Sequence, residues 1–368
     1  MNSQILLYSV FIFYVQFQYS SQFLLPGPEK LFLVPSVAFR YHSSTLGFTV
    51  NAKSTEDWIV YAQGWFFEEN PFRSFIAHTA LSTTVSDINE ERVAYFTASG
   101  KKHRELCLEG LSKQLCTETD NKGLISTKFR ISNNDIEKYR QPGGVGGKVL
   151  FQVSTFNTYQ YINETGEIYL CDDNGISFIS DIDDTIKVTG VTSARRVLVN
   201  TFSGEYKAIE NMAKRYRQWE QRYNATFHYL TASPDQLYPF LRDFFEREKF
   251  PLGSAHMRHF TWFDKNFINF FMSQSYISQK SKVLKMFLDQ TRSRYFVLLG
   301  DIFQKDPEIY ARIYEQYPQR IAKIFIRKYS DDSDGQKRLE QVFSRIPKEK
   351  WQTFENGNDL PENFKIEK

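Results

Sequence analysis

Gly175-Ile-Ser-Phe-Ile-Ser-Asp-Ile-Asp-Asp-Thr-Ile-Lys187 is the stretch on which the reading of this chain turns. Ile176, Phe178 and Ile179 form a short apolar, β-favouring run bounded by Gly175 and then by carboxylates. That is the pattern of a buried parallel strand followed by a loop. Three acids, Asp181, Asp183 and Asp184, crowd its carboxyl end. Like charges this close repel unless a cation lies between them or a proton is shared. In an open α/β sheet the carboxyl ends of the strands are where ligands bind. A lone Asp-x-Asp reads more readily as a solvated acidic turn. The preceding strand, the third acid and the trailing Thr185 turn the reading towards a metal-assisted site.

Outward from this stretch, strands and amphipathic helices alternate. Lys207 to Tyr223 places Ile209, Met212, Ala213, Tyr216 and Trp219 on one helical face. Thr226 to Leu230 reads as a strand. Ser233-Pro-Asp-Gln236 reads as a helix start, with Ser233 as cap, Pro234 in the first turn and Gln236 closing a capping box. A helix near Lys280 to Gln290 precedes the strand Tyr295 to Leu299, Asp306-Pro-Glu-Ile caps the next helix, and Ile321 to Ile326 is a last strand. This order implies a mostly parallel, doubly wound sheet.

Before Cys171 the texture differs. Phe32 to Tyr41, Trp58 to Phe67, Arg92 to Thr97, Val149 to Phe156 and Glu167 to Leu170 are β-branched or aromatic runs with no long helical pattern between them. A small all-β sandwich or barrel is expected there. Gly143-Gly-Val-Gly-Gly-Lys148 lacks the spacing of a phosphate loop and has Val149 where a Ser or Thr belongs, so it reads as a hairpin or loop. The segments expected are 1–21, 30–170, 171–346 and a polar, loosely held tail over 347–368.

A net charge of +3 over 368 residues gives no sign of a nucleic-acid partner, and 41% apolar residues supply real cores. The run Ile5 to Val15, followed by polar and small residues, resembles the apolar region of a secretory signal peptide, although no Lys or Arg precedes it. No later stretch is apolar enough to cross a bilayer. The expectation is a chain secreted or held in the endomembrane lumen, where cysteines meet oxidising conditions. Cys107 and Cys116 are then near enough to bridge, with Cys171 left over, and Asn163 and Asn224 begin glycosylation sequons.

Strand ends and intervening helices bring forward Asp181, Asp183, Thr231, Lys280, Asp301 and Asp306. With Asp-x-Asp-x-Thr, a Thr ending the next strand, a Lys and Gly-Asp-x4-Asp, the chain resembles the haloacid-dehalogenase superfamily of phosphatases. Three stretches resemble the phosphatidate phosphatases of the actin-patch-protein type: Phe178-Ile-Ser-Asp-Ile-Asp-Asp-Thr-Ile-Lys-Val-Thr189, Phe227-His-Tyr-Leu-Thr-Ala-Ser-Pro234 and Leu299-Gly-Asp-Ile-Phe-Gln-Lys-Asp-Pro-Glu-Ile-Tyr310. The resemblance runs from about Gly175 to Arg327. It implies a Rossmann-like (haloacid-dehalogenase-like) α/β sheet behind a β-rich N-terminal domain.

It implies, too, a Mg2+-dependent phosphomonoesterase working through an aspartyl-phosphate, with phosphatidate or a related lipid phosphate, met at a membrane surface, as substrate. Asp181 would be the nucleophile. Asp183 would be the acid and base, which calls for a raised pKa. Mg2+ would be held by Asp181, the Asp183 carbonyl and Asp301, with Asp306 orienting that shell. Thr231 and Lys280 would hold phosphate oxygens, although Lys282 and Lys285 compete with Lys280, and Ser233 reads as a cap. Asp184 receives no chemical role. Aromatic residues between Phe250 and Tyr276, including Phe260, Trp262 and Phe263, read either as core or as an entrance for acyl chains beside Arg258. A phosphatase for soluble esters or phosphoproteins, and a phosphate-binding module without turnover, are the competing readings. One departure stands out: Ile302-Phe303 follows Gly300-Asp301 where relatives carry Ser-Gly. The bulky pair is expected to displace the loop or close over the site, weakening Mg2+ affinity or slowing turnover.

Overall fold

A computed structural model describes residues 27–41, 57–141, 147–156, 161–260, 275–329 and 331–366. The apolar N-terminal run, residues 142–146 of the glycine stretch and residues 261–274 of the aromatic segment lie outside this set. Among the described residues no helix is long and apolar enough to cross a membrane.

The first half is a mixed sheet of nine strands: β1 (Glu29–Arg40), β2 (Trp58–Glu68), β3 (Ser99–Gly100), β4 (Glu105–Glu109), β5 (Leu115–Glu118), β6 (Leu124–Ile131), β7 (Arg140–Gln141), β8 (Lys148–Phe156) and β9 (Tyr161–Cys171). Their order is β3-β2-β1-β9-β8-β4-β5, with β6 on β2 and β7 on β8. The β1–β9 pair is parallel, and the ladder of β1 with β2 shifts between Val34 and Val37, around the proline at position 35 that has no N–H to give. Cys107 and Cys116 face each other on β4 and β5 and form a disulfide.

Helices interrupt this half, against expectation. Pro71–Leu81 forms α1 and Glu90–Thr97 forms α2, so Arg92 to Thr97 is helix and not strand. The reason is local: Asn70 and Asn89 each accept the backbone N–H of the third helical residue, Pro71 stands in the first turn of one helix, and Glu90 and Glu91 in that of the other. Aromatic content outweighed these caps in the strand reading. A short α3 (Asn133–Tyr139) is capped the same way by Ser132.

The second half is a six-stranded parallel sheet of β10 (Ile176–Ser180), β11 (Ala225–Pro234), β12 (Ser254–Arg258), β13 (Tyr295–Asp301), β14 (Ile321–Arg327) and β15 (Trp351–Phe354). Its order is β12-β11-β10-β13-β14-β15. The chain starts in the middle, winds outward to β12, then crosses back to β13 and winds the other way. Neighbouring strands β10 and β13 therefore diverge in direction of winding, and their carboxyl ends are where sheets of this kind bind ligands. Alternation along β10 serves both faces. Phe178 packs with Tyr216 and Trp219 of α5 (Met212–Tyr223), and Ile179 joins a second core with Leu284 and Phe287 of α7 (Ser275–Gln290). The other helices are α4 (Ala194–Phe202), α6 (Tyr238–Glu248), α8 (Asp306–Gln316) and α9 (Ser333–Val342).

Three boundaries move. Helix α5 begins at Met212 instead of Lys207, because backbone at 207–209 pairs with 186–188 through Val188 N–H to Lys207 O (2.9 Å) and Ile209 N–H to Ile186 O (2.8 Å). Ser233 is no cap: β11 runs through Pro234 into a short 3₁₀ turn, Asp235–Leu237, before α6. The tail is not loose, since β15 pairs with β14, Trp351, Phe354 and Leu360 are buried, and the Phe364 ring lies 5.0 Å from that of Tyr223.

The two halves share cores. Phe32, Trp65 and Phe67 belong to the cluster of Phe178 and Trp219, and Val37 and Phe39 to that of Ile179. Gln63 of β2 also donates to the Ala255 carbonyl of β12 at 2.8 Å.

Candidate active site

Asp181 follows β10 directly, and its N–H donates to Leu299 O (2.9 Å). Asp301 ends β13. The parallel pairing of these strands thus sets both carboxylates at one edge, although they lie far apart in sequence. Asp306 opens α8, where its predicted capping role is replaced: Lys305 is the cap position, and the Asp306 side chain turns inward. Gly300 makes room for it, because a Cβ there would stand 2.5 Å from Asp306 Oδ2.

Lys280 of α7 closes the group. Its Nζ donates to Asp181 Oδ1 (2.8 Å) and to Asp306 Oδ1 (2.6 Å), and none of the three is exposed. Of the competing lysines, this is the one that enters the site. Thr185 Oγ1 donates to the other Asp181 oxygen at 3.0 Å. Asp301 Oδ1 accepts the N–H groups of Phe303 (2.5 Å) and Gln304 (2.8 Å), while its Oδ2 is buried with no donor among the described residues.

Asp181, Asp301 and Asp306 can each offer one carboxylate oxygen, all within 4.8 Å of one another. Three carboxylates against one ammonium leave a surplus of about two negative charges when all are ionised. That surplus favours the protonated carboxyls. Burial first, and then Asp306 and Asp183, push the Asp181 carboxyl up to about 7 although Lys280 pulls it down. Burial, Asp306 and Asp181 push Asp301 well above the usual carboxylate range. A donorless buried oxygen, hard oxygen ligands and that charge surplus all fit a divalent cation of the Ca2+ or Mg2+ kind.

Asp183 behaves in the opposite way. Its Oδ1 takes Thr189 Oγ1 (2.8 Å) and the Lys187 ammonium (3.0 Å), and its Oδ2 takes Thr231 Oγ1 (2.8 Å) and Ser233 Oγ (2.5 Å). Burial raises its pKa, but Lys187, Ser233 and Thr189 outweigh burial and bring it down to about 2. The raised value expected for Asp183 is therefore found at Asp181 and Asp301 instead. Cations and hydroxyls surround Asp183, whereas carboxylates surround the others. Thr231 and Ser233 are both turned towards Asp183.

Sequence reasoning missed three contributors. Asp184 has φ +54°, and its carboxylate accepts the N–H groups of Thr189 (2.9 Å), Gly190 (2.8 Å) and Val191 (2.6 Å). It ties down the loop after the motif, and an acid can take the left-handed conformation where Gly would be the common choice. Arg327, at the end of β14, donates to the Asp184 carbonyl at 2.9 Å. Lys187 is buried against Asp183. Its signal was present in the motif itself, since a lysine two residues after Thr185 cannot stay solvated if the loop folds back. His256 and Phe260, from the aromatic segment, are buried, and Gln236 clamps the Phe260 backbone. The acyl entrance at Trp262 and Phe263 lies outside the described residues.

Residues 176–328 match the family model "Phosphatidate phosphatase APP1, catalytic domain". The chain is 30% identical over 189 residues to phosphatidate phosphatase APP1 of Saccharomyces cerevisiae, covering 50% of this chain and 31% of that protein. It is 35% identical over 173 residues to an uncharacterized protein of Schizosaccharomyces pombe, covering 46% of this chain and 28% of the other. The chain thus spans about a third of the length of these relatives. Among solved structures, a β-glucuronidase of Parabacteroides merdae aligns at a TM-score of 0.28 with 8% identity, covering 85% of this chain and 34% of that one, a likeness too slight to bear on the fold. By sequence, residues 176–328 are thus similar to the catalytic domain of a phosphatidate phosphatase.

Proposed function

We propose that this chain is a Mg2+-dependent phosphomonoesterase that hydrolyses phosphatidate or a related lipid phosphate through an aspartyl-phosphate at Asp181, on a sheet of the haloacid-dehalogenase kind. The observation that carries the reading is the meeting of Asp181, Asp301 and Asp306 around a donorless Asp301 oxygen, beside Lys280 and inside the matched domain. Mg2+ held by Asp181, Asp301 and Asp306, with the Asp183 carbonyl, would offset charge on the phosphoryl group in transfer.

The chain's own groups divide the remaining work. The Asp181 carboxylate attacks phosphorus, the phosphorus–oxygen bond to the alcohol breaks, and Lys280 draws the nucleophile towards its charged form and aims it. Asp183 gives a proton to the departing oxygen. Water then attacks the acyl phosphate, and Asp183 takes that water's proton. Four donors hold Asp183 ionised, so the first step requires some of them to leave. A phosphate drawing Thr231 and Ser233 to its own oxygens would free Asp183 Oδ2 to carry the proton, so substrate arrival and readiness of the acid are one event. The Cys107–Cys116 bridge favours work in an oxidising compartment.

Phosphate release from phosphatidate micelles, and from a soluble aryl phosphate, with and without EDTA, tests this reading. Lipid turnover abolished by EDTA and restored by Mg2+ is the expected result. Turnover of soluble esters alone would move the substrate class, and release unaffected by EDTA would overturn the metal assignment.

A further inference from the structure

Lys187 holds the acid Asp183, and its own support comes from the other half of the chain. The Lys187 Nζ stands 3.0 Å from Asp183 Oδ1, donates to Thr189 Oγ1 at 2.6 Å, and lies 4.7 Å from the centre of the Tyr206 ring. Tyr206 is buried, and its hydroxyl has no partner among the described residues. The ring, not the hydroxyl, makes the polar contacts. On the same ring, at 4.0 Å, lies the guanidinium of Arg92, which α2 brings from the β-rich half.

Arg92 is 4% exposed and pairs with no carboxylate among the described residues. Its Nη1 donates to the carbonyls of Thr201 (3.1 Å) and Ser203 (3.3 Å). A buried guanidinium without an acid is costly, and an ion pair does not account for its place. Cation–ring attraction, stronger where water is excluded, does. The backbone repeats the same connection. Asn89 N–H donates to Phe202 O (2.7 Å), Gly204 N–H to Asp87 O (3.2 Å), and 207–209 ladders onto 186–188.

We propose that Arg92 is a positioning residue for catalysis: through the Tyr206 ring and Lys187 it fixes the Asp183 carboxylate where the departing oxygen needs its proton. The β-rich half is then part of the hydrolase and not an appended module. Lys187, squeezed between a ring that already carries one cation and the Asp183 carboxylate, has a single place to put its charge. Loss of Arg92 lets the ring turn and Lys187 slacken. The inference rests on the role given to Asp183 above.

Two measurements on the full chain test it. In the first, Arg92→Met, Arg92→Lys and Lys187→Met are assayed on an alkyl phosphate, whose leaving oxygen needs a proton, and on p-nitrophenyl phosphate, whose leaving oxygen does not. General acid catalysis contributes about 10²- to 10⁴-fold, so in single turnovers, which isolate the step that releases the alcohol, Lys187→Met should slow release from the alkyl ester by ~100-fold and Arg92→Met by ~10-fold, with the burst of p-nitrophenol within ~3-fold. Steady-state turnover of either ester also reports Asp183 as base and is not the readout. Arg92→Lys, which keeps the charge, should fall between Arg92→Met and the parent. Equal losses on both esters would overturn the inference and leave Arg92 a packing residue. In the second, a crystal structure of Arg92→Met, or of Arg92→Lys should the former not fold, should show the Lys187–Asp183 pair opened beyond the ~4 Å limit of an ion pair. An undisturbed 3.0 Å pair would sink the inference whatever the rates. A parent protein inactive on both esters would refute the phosphatase reading, while this structural measurement would still decide the positioning.

Discussion

Lys280 reaches Asp181 across 2.8 Å, and neither side chain touches solvent. Burial works against the ammonium, but Asp181, Asp306 and Asp301 outweigh it and raise its pKa. Breaking a buried ion pair by removing one partner leaves an uncompensated charge and costs about 3–5 kcal/mol. Lys280→Met should therefore unfold at lower urea than the parent in EDTA, and recover part of the difference in Mg2+, because the cation can replace the lost positive charge. Its turnover should drop by at least ~100-fold, as expected for a group that stabilises developing charge. Lys282→Met and Lys285→Met serve as controls. A Lys280→Met protein as stable as the parent in EDTA would show that the ammonium is not what balances these acids.

The same acids set a pH dependence. Asp181, normally at 3.8, is pushed up to about 7, and Asp301 is also raised. Between those values the folded metal-free chain binds more protons than the unfolded one, so stability falls as pH rises from about 4 to about 7. Asp183 contributes with the other sign: brought down to about 2, it adds stability above about 4 that is lost on acidification. Melting in EDTA across this window should show Tm dropping towards neutrality, and Mg2+ should flatten the curve. Asp301→Asn keeps an acceptor for the Phe303 and Gln304 N–H groups while removing one charge. It should raise the metal-free Tm at neutral pH by ~3 °C or more, at about 2–4 °C per kcal/mol for a chain of a few hundred residues, and abolish the Mg2+ response. A Tm in EDTA that climbs between about pH 5 and 7 would contradict this account.

Asp181→Asn and Asp183→Asn should both stop turnover of lipid phosphate, for different reasons. The first removes the proposed nucleophile, so no phosphoenzyme should form from any ester. The second spares the nucleophile, so an aryl phosphate, whose leaving group needs little protonation, should still load the protein and trap a phosphoenzyme that water cannot clear. Acid-quenched labelling followed by hydroxylamine release distinguishes the two. Label on Asp181→Asn would place the nucleophile elsewhere.

Much of this site could be read from sequence because its residues sit where strand periodicity ends. Ile176, Phe178 and Ile179 announce β10, and the carboxylates after it have only one edge to occupy. Lys280 was ambiguous because a helical lysine facing solvent and one facing a buried acid look alike until the helix is docked. The charge state of Asp183 is hidden from the sequence since its neighbours along the chain are acids, while its neighbours in space are Lys187, Thr189, Thr231 and Ser233. Arg92 and Tyr206 carried no signal, as their meeting depends on packing between the two halves. In the β-rich half, aromatic density at Arg92 to Thr97 concealed a helix that the Asn89 cap specifies.

The expectation for Ile302 and Phe303 is that they displace the loop or close over the site; the loop is not displaced but anchored by them. Ile302 is 3% exposed in the core of the sheet's second face, its N–H donates to Arg327 O (3.0 Å), and its carbonyl accepts Arg338 Nη1 (2.6 Å). The Phe303 ring rests 5.1 Å from that of Tyr329, and its N–H is one of the two that hold Asp301 Oδ1. Arg338 adds a bond to the Gln304 carbonyl (2.8 Å), so the loop is fixed from the α9 side as well. A residue in this setting is packing, and truncating it leaves a cavity: Ile302→Ser should lose about 2–4 kcal/mol of stability. Phe303→Gly frees the backbone where two N–H groups must converge on one oxygen. The double change should therefore destabilise the fold, lower turnover and raise the Mg2+ concentration for half-maximal rate, while Phe303→Tyr, which keeps the ring, should leave that concentration near the parent's. Urea titrations with Mg2+-dependent rates on the same preparations check it. A double variant that is equally stable and needs less Mg2+ would mean that this pair obstructs the proposed metal site.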